Sequence, residues 1–202
     1  MRFFLVNVFT PLPHAGNQLA VVFPERDLSD AQMQAITRDF NFSETVFIND
    51  HRALRIFSPA GELPFAGHPT IGAAWVLARV TGKTSFVLET KRGLVPAEVS
   101  SGSVSLTFPG NPTVTPFTGD LEDLCETYGV ELAQVEVSGV RVVNSGPEFI
   151  LVPVKSHEAL KGARASGLGG ESRRPYLVFR EAPDKHYVRM FSPKVKDGED
   201  AA

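Results

Sequence analysis

The 202 residues carry 20 Lys and Arg against 23 Asp and Glu, a net charge of −3, and are 43% hydrophobic. A chain of this size holds one large domain or two small ones, and its interspersed charges form no basic stripe that nucleic acid would need. No apolar run reaches the roughly 18 residues of a membrane span, and the short apolar start, broken by Asn7, reads as a buried strand and not as a signal peptide. The single cysteine, Cys125, excludes an intramolecular disulfide and a multi-cysteine metal site, which fits a reducing cytoplasm.

In chain order, residues 2–9 and 18–23 read as strands, joined by a Pro- and Gly-containing loop from Pro11 to Asn17. Leu28 to Phe40 carries a helix signature: Ser29 and Gln32 form a capping box, and Leu28 can staple onto Met33. Residues 45–48 and 53–57 read as strands rich in β-branched and aromatic residues. The segment from Leu63 to Ala78 has no polar face after Thr70, so it predicts a buried helix over 69–80, with Pro69 at its start and Gly82 past its end. Strands are expected at 85–89, 94–99 and 104–108, followed by a Pro/Thr-rich linker from Pro109 to Pro116. A short amphipathic helix at 120–128, strands at 141–143 and 149–154, a helix at 157–163, a mobile Gly-rich loop at 165–174 and strands at 176–180 and 187–191 complete the sequence. Arg55-Ile-Phe-Ser-Pro59 recurs as Arg189-Met-Phe-Ser-Pro193. Each copy ends a predicted strand and precedes a Gly- and acid-containing turn, which points to a duplicated domain. The first copy runs on into the buried helix, and the second breaks off at residues 197–202.

The first turn of the buried helix leaves backbone N–H groups unpaired and carries partial positive charge, so a carboxylate or phosphate is its natural ligand. Gly67 would let such a ligand approach the backbone, with His68 beside it; the plainer reading is a tight turn with a capping histidine. Glu44 stands at the mouth of a strand, where burial would suit it to general-base work, although a solvated turn residue is the commoner case. Asp200 is equally ordinary taken singly. Cys125 lies on an apolar helix face and reads as a core residue. The glycines at 167–170 are not followed by a Lys-Ser/Thr pair, the other histidines lack metal-ligand spacing, and Ser58 and Ser192 have no Gly-x-Ser-x-Gly context.

Three stretches, Asn7-Val-Phe-Thr with Gly16-Asn17-Gln-Leu-Ala-Val-Val, then Asn41-Phe-Ser-Glu-Thr-Val-Phe47, then Arg55-Ile-Phe-Ser-Pro with Glu62-Leu-Pro-Phe-Ala-Gly-His-Pro-Thr-Ile-Gly72, resemble the PhzF-like (phenazine-biosynthesis-type) family. The resemblance is strong over residues 1–110, looser to 190, and returns around Glu199-Asp200. It implies an α+β fold of the diaminopimelate-epimerase kind. That fold has two pseudo-symmetric halves, each a mostly antiparallel, barrel-like sheet around a central helix, with boundaries here at 1–112 and 117–202. The second half is expected to be truncated before its central helix. By motif, Glu44 matches the family's principal acid/base glutamate, His68 the histidine beside the substrate carboxylate, and Asp200 the aspartate of the second half. Asn17, Gly67 and Thr70 are the matching substrate-binding candidates. Ala66 stands where two-thiol racemases of this fold carry their first cysteine, so that chemistry is excluded. The resemblance implies an isomerase moving a proton on a small carboxylate-bearing metabolite, without metal, nucleotide or flavin. Expected partners are the C-terminal remainder of the same protein as a separate chain, or a second copy, with a homodimer common in the family; neither nucleic acid nor membrane is expected. The rival readings are a non-catalytic small-anion-binding protein and an inactive truncated fragment.

Overall fold

In the computed structural model, residues 1–49, 52–108, 111–145, 148–164, 174–191 and 199–200 are described. They divide into two units, Met1–Pro109 and Gly110–Ala202. The first contains strands β1 (Arg2–Val8), β2 (Asn17–Phe23), β3 (Glu44–Asn49), β4 (Ala53–Ser58), β5 (Gly61–Leu63), β6 (Ser85–Thr90), β7 (Gly93–Ser100) and β8 (Ser103–Leu106), with helices α1 (Asp30–Phe40) and α2 (Gly67–Thr81). The strands form one curled sheet in the order β1-β2-β3-β4-β6-β7-β8, with β5 paired to β4. Pairing is antiparallel except for β2 with β3 and β4 with β6. The parallel β2–β3 pair requires a crossover, which α1 supplies.

Both faces of the middle of this sheet are covered, and the residues alternate accordingly. Leu19, Val21, Val46, Ile48, Leu54 and Ile56 join the cluster that includes Ala73, Ala74, Val76 and Leu77 of α2. Val22, Phe47 and Phe57 point the other way, into the cluster with Met33 of α1. A strand buried on both faces reads as a continuous apolar run, and β2 from Leu19 to Phe23 is buried throughout. The close approach of α2 to the sheet depends on Gly72, where a Cβ would lie 2.3 Å from a Leu19 methyl. The helix is not enclosed on every side, as its sequence suggested. Trp75 is exposed, with the Arg79 guanidinium 5.1 Å from its ring centroid.

The predicted capping box is present. The Gln32 N–H donates to Ser29 Oγ at 3.3 Å, and the Ser29 N–H donates to Gln32 Oε1 at 2.9 Å. Leu28 packs on the Met33 cluster, and Asn41 ends α1 in the left-handed conformation at φ 53°.

The second unit contains β9 (Thr113–Pro116), α3 (Leu121–Thr127), β10 (Arg141–Asn144), β11 (Glu148–Pro153), α4 (His157–Gly162), β12 (Pro175–Ala182), β13 (Lys185–Phe191) and β14 (Glu199–Asp200), in sheet order β14-β13-β12-β11-β10-β9. Half of the stretch read as a linker, Thr113 to Pro116, is therefore a strand. It pairs with β10 as an edge strand, the position in a sheet where proline is tolerated. Residues 165–173 of the Gly-rich loop, and all of the terminal turn except Glu199 and Asp200, lie outside the described residues. The core gathers Leu124, Cys125, Tyr128, Val152, Leu160, Leu177 and Phe191. Cys125 is buried there, and burial, helped by Glu122, pushes its thiol pKa up, as expected of a core residue and not of a nucleophile.

The internal repeat extends far beyond five residues. In the first unit β1–β2 is antiparallel, β2–β3 parallel across α1, and β3–β4 and β4–β5 antiparallel. In the second, β10–β11, β11–β12 across α4, β12–β13 and β13–β14 repeat that series. Phe57 pairs with Glu62 as Phe191 pairs with Glu199. Arg55 lies over the Phe57 ring and binds both oxygens of Glu62; Arg189 lies over Phe191 and binds both oxygens of Glu199 at 2.6 Å.

Arg55 also donates to Asp30 Oδ1 at 2.9 Å, and Lys91 reaches Glu62 as well. The Arg55 hydrogen bond, with Lys91 adding to it, holds the Glu62 carboxyl below the usual carboxylate range against an opposing effect of burial. A carboxylate with a lowered folded-state pKa stabilises the fold above its unfolded pKa, and that stabilisation is lost as pH falls through the folded value. Glu62→Gln is therefore expected to lower Tm at pH 7, and the gap to the native protein should close below about pH 4. Thermal melts at pH 7, 5 and 3 measure this; a constant gap would show that the pair contributes through packing alone.

Candidate active site

Glu44 opens β3, side by side with Leu19 of β2. Alternation along β3 puts it on the same face as Val46 and Ile48, the face that α2 covers. The helix starts at Gly67, two residues before the predicted Pro69, because Ala66 is already extended at φ −148°. His68 is thereby carried into the first turn. Its ring is 4% exposed, and its Nδ1 lies 2.9 Å from Glu44 Oε2, with Glu44 itself 20% exposed. A carboxylate against Nδ1 favours the imidazole proton on that nitrogen and leaves Nε2 as the working end. Nε2 is buried without a hydrogen-bond partner. The Glu44 side chain keeps 20% of its surface exposed beside this contact.

The helix end beside this pair has no side-chain cap. Pro69 has no N–H, and the Thr70 N–H reaches the Ala66 carbonyl at 3.4 Å, so the amides of Gly67 and His68 are the helix-end donors. A Cβ placed on Gly67 would meet nothing within 4 Å, which leaves the backbone there open to a ligand. The other two candidates are placed as follows. Asn17 opens β2, and its Oδ1 accepts a hydrogen bond of 2.9 Å from Ser43 Oγ, next to Glu44 in the chain. Thr70 is fully buried, and its hydroxyl donates to the Ala66 carbonyl at 2.7 Å within the helix. Asp200 belongs to the second unit, where its backbone pairs opposite Met190.

Arg55 faces Phe47 and Arg189 faces Leu177, so three residues upstream Arg174 stands where the first unit has Glu44. Leu63 pairs with Ile56 as Asp200 pairs with Met190, so the candidates Glu44 and Asp200 each fall at a position that is not acidic in the other unit.

Two residues near the site were not singled out by the sequence. Ser43 ties Asn17 to the start of β3, a contact that no local pattern announces. Phe9, expected as the last residue of a strand, instead ends it: β1 stops at Val8, and Phe9 has φ 63°. A bulky side chain rarely adopts that conformation, which costs on the order of 1–3 kcal/mol and persists only where surrounding contacts enforce it. Enforcement comes from the loop's return. Val8 pairs with Asn17, and a Cβ on Gly16 would lie 2.2 Å from the Val8 carbonyl oxygen. Gly16→Ala should thus displace backbone at the end of β1 and cost about 1–3 kcal/mol in urea unfolding. An unchanged midpoint would mean that this loop yields freely.

The first unit is thus a curled sheet around a helix whose uncapped N-terminus stands beside a carboxylate–imidazole contact. The model of the phenazine biosynthesis-like (PhzC-PhzF) family matches residues 6–202, and the chain belongs to that family. It is 34% identical over 213 residues to trans-2,3-dihydro-3-hydroxyanthranilate isomerase of Pseudomonas fluorescens, covering 100% of this chain and 75% of that one. An uncharacterized isomerase of Pasteurella multocida is 39% identical over 165 residues, which cover 78% of this chain and 56% of that protein's length. Among solved structures, a predicted epimerase from Pseudomonas aeruginosa superposes with a TM-score of 0.73 at 32% identity, covering 88% of this chain and 69% of that one. A PhzF-family protein of Bacillus anthracis shares the fold at a TM-score of 0.79 and 24% identity, over 95% of this chain and 73% of that one. Among the described residues no helix is long and apolar enough to cross a membrane.

Proposed function

We propose that this protein is a cofactor-independent isomerase that moves a proton between two carbons of a small, unsaturated carboxylate. The observation that carries the proposal is the contact between Glu44 Oε2 and His68 Nδ1 at the uncapped start of α2. The substrate carboxylate would sit on the Gly67 and His68 amides, where partial positive charge favours it. Glu44 then takes a proton from a carbon next to the unsaturated system. One C–H bond breaks, its electron pair shifts through the π system, and Glu44 returns the proton to a second carbon, so the reaction is redox-neutral. The contact with His68 Nδ1 holds the carboxylate in position, and Nε2 is turned toward a polar group of the substrate. Asp200 keeps, as part of this proposal, the role of second acid/base group that the family resemblance implies. A suitable first substrate is trans-2,3-dihydro-3-hydroxyanthranilate, the compound named for the Pseudomonas relatives.

The test is incubation of the full-length protein with that compound in D2O, followed by proton NMR. Isomerised product with deuterium at a ring carbon, or proton retained by internal return, supports the proposal. Neither product formation nor exchange on this or related cyclic carboxylates would remove it.

A further inference from the structure

We infer that Phe9 is a specificity-determining wall of this site, which packs its ring against the apolar, planar part of the bound molecule. The inference rests on the reading of the helix start as a carboxylate site. Three observations converge on Phe9. Its ring centroid lies 6.3 Å from that of His68, tilted by 48°, within the range of an aromatic pair. Despite this neighbour the side chain is 60% exposed, whereas phenylalanine is normally among the buried residues. Its backbone is left-handed at φ 63°, a conformation that glycine or asparagine would adopt more readily.

A position that needs only a turn would carry one of those residues. Keeping a large aromatic ring on unfavourable backbone, beside the histidine and in partial contact with water, matches a surface that awaits an apolar partner. The geometry supports the same reading. The Val8 carbonyl is fixed by the close passage of Gly16, and Thr10 folds the loop back by accepting from the Leu12 N–H and donating to the Leu12 carbonyl, both at 3.0 Å. The Phe9 backbone is thus held from both sides while its ring stays free. The Gly67 and His68 amides at the helix start hold the ionised end of a ligand, and Phe9 offers the nearby face on which an unsaturated ring can lie.

The test uses two small probes that share a carboxylate and differ in shape: anthranilate, which is planar, and cyclohexanecarboxylate, which is puckered. Affinities are measured by titration calorimetry for the native full-length protein, Phe9→Tyr and Phe9→Gly, with thermal melts of each. The native protein is expected to prefer anthranilate. Phe9→Tyr should keep that preference. Phe9→Gly should weaken anthranilate about tenfold or more and cyclohexanecarboxylate by less than about threefold, with Tm unchanged or raised because glycine relieves the backbone. Equal weakening of both probes together with a lower Tm would show a structural role and overturn the inference. So would an unchanged preference. Binding of neither probe by the native protein would overturn the carboxylate-site reading itself, and the Phe9 inference with it.

Discussion

Glu44→Gln is expected to abolish proton transfer while leaving ligand affinity nearly intact. The amide keeps the size of the side chain and can still accept from His68 Nδ1 through its carbonyl oxygen, so the first turn of α2 keeps its neighbour at the observed 2.9 Å spacing. What is lost is the group that takes up the proton. General-base catalysis contributes typically about 100- to 10,000-fold, so kcat should fall by that factor with KM changed little. The assay is deuterium incorporation from D2O, with binding of a carboxylate probe followed in parallel. Normal turnover by the variant would show that Glu44 is not the base. Loss of binding together with turnover would show that it holds the ligand and does not react with it. No exchange in either protein, with binding intact in both, would favour a non-catalytic anion-binding protein.

The second large effect concerns stability. Phe47 is fully buried where α1 meets the sheet, edge-on to Phe57 with ring centroids 5.7 Å apart, and packs with Val22 and Met33. Phe47→Ala should cost about 3–5 kcal/mol in urea unfolding, because the cavity lies between two elements that cannot close onto it without moving the helix. Val87→Ala is the control: Val87 is 50% exposed, and its truncation should stay within about 0.5 kcal/mol. A small loss at Phe47 would mean that α1 resettles on the sheet. Since Phe47 shares β3 with Glu44, that outcome would also predict a looser active site.

Much of the local structure is legible in the sequence because its causes are local. Ser29 and Gln32 cap α1 from within four residues, and Gly82 ends α2 in the left-handed conformation at φ 72°. The alternating and continuous apolar runs of β2, β3 and β4 state which faces are covered. Elements that depend on a partner strand are harder to read. β5 is only three residues long and exists through its pairing with β4, and β9 is a Pro/Thr-rich segment that becomes a strand by pairing with β10. The duplication was visible as one five-residue echo. Its full extent needed the register, in which residues with no identity, such as Leu63 and Asp200, occupy equivalent places.

The site divides along the same line. The residue types and their order, Glu44 at a strand mouth and Gly67-His68-Pro69 opening an apolar helix, were set out in the chain and were sufficient for the family resemblance. Each was weak by itself, since a lone glutamate in a turn and a lone histidine before a proline have ordinary explanations. Only the tertiary fold joins them. The sheet carries β3 under the start of α2 and brings the carboxylate to the imidazole, while the proximity of Gly72 to Leu19 lets the helix lie close enough for that contact. The left-handed backbone of Phe9 is likewise a tertiary decision. No propensity favours it there; it occurs where the returning loop brings Gly16 against the Val8 carbonyl. Sequence sets what short-range sterics and hydrogen bonds can dictate. The meeting of distant side chains is decided by which faces must be buried together.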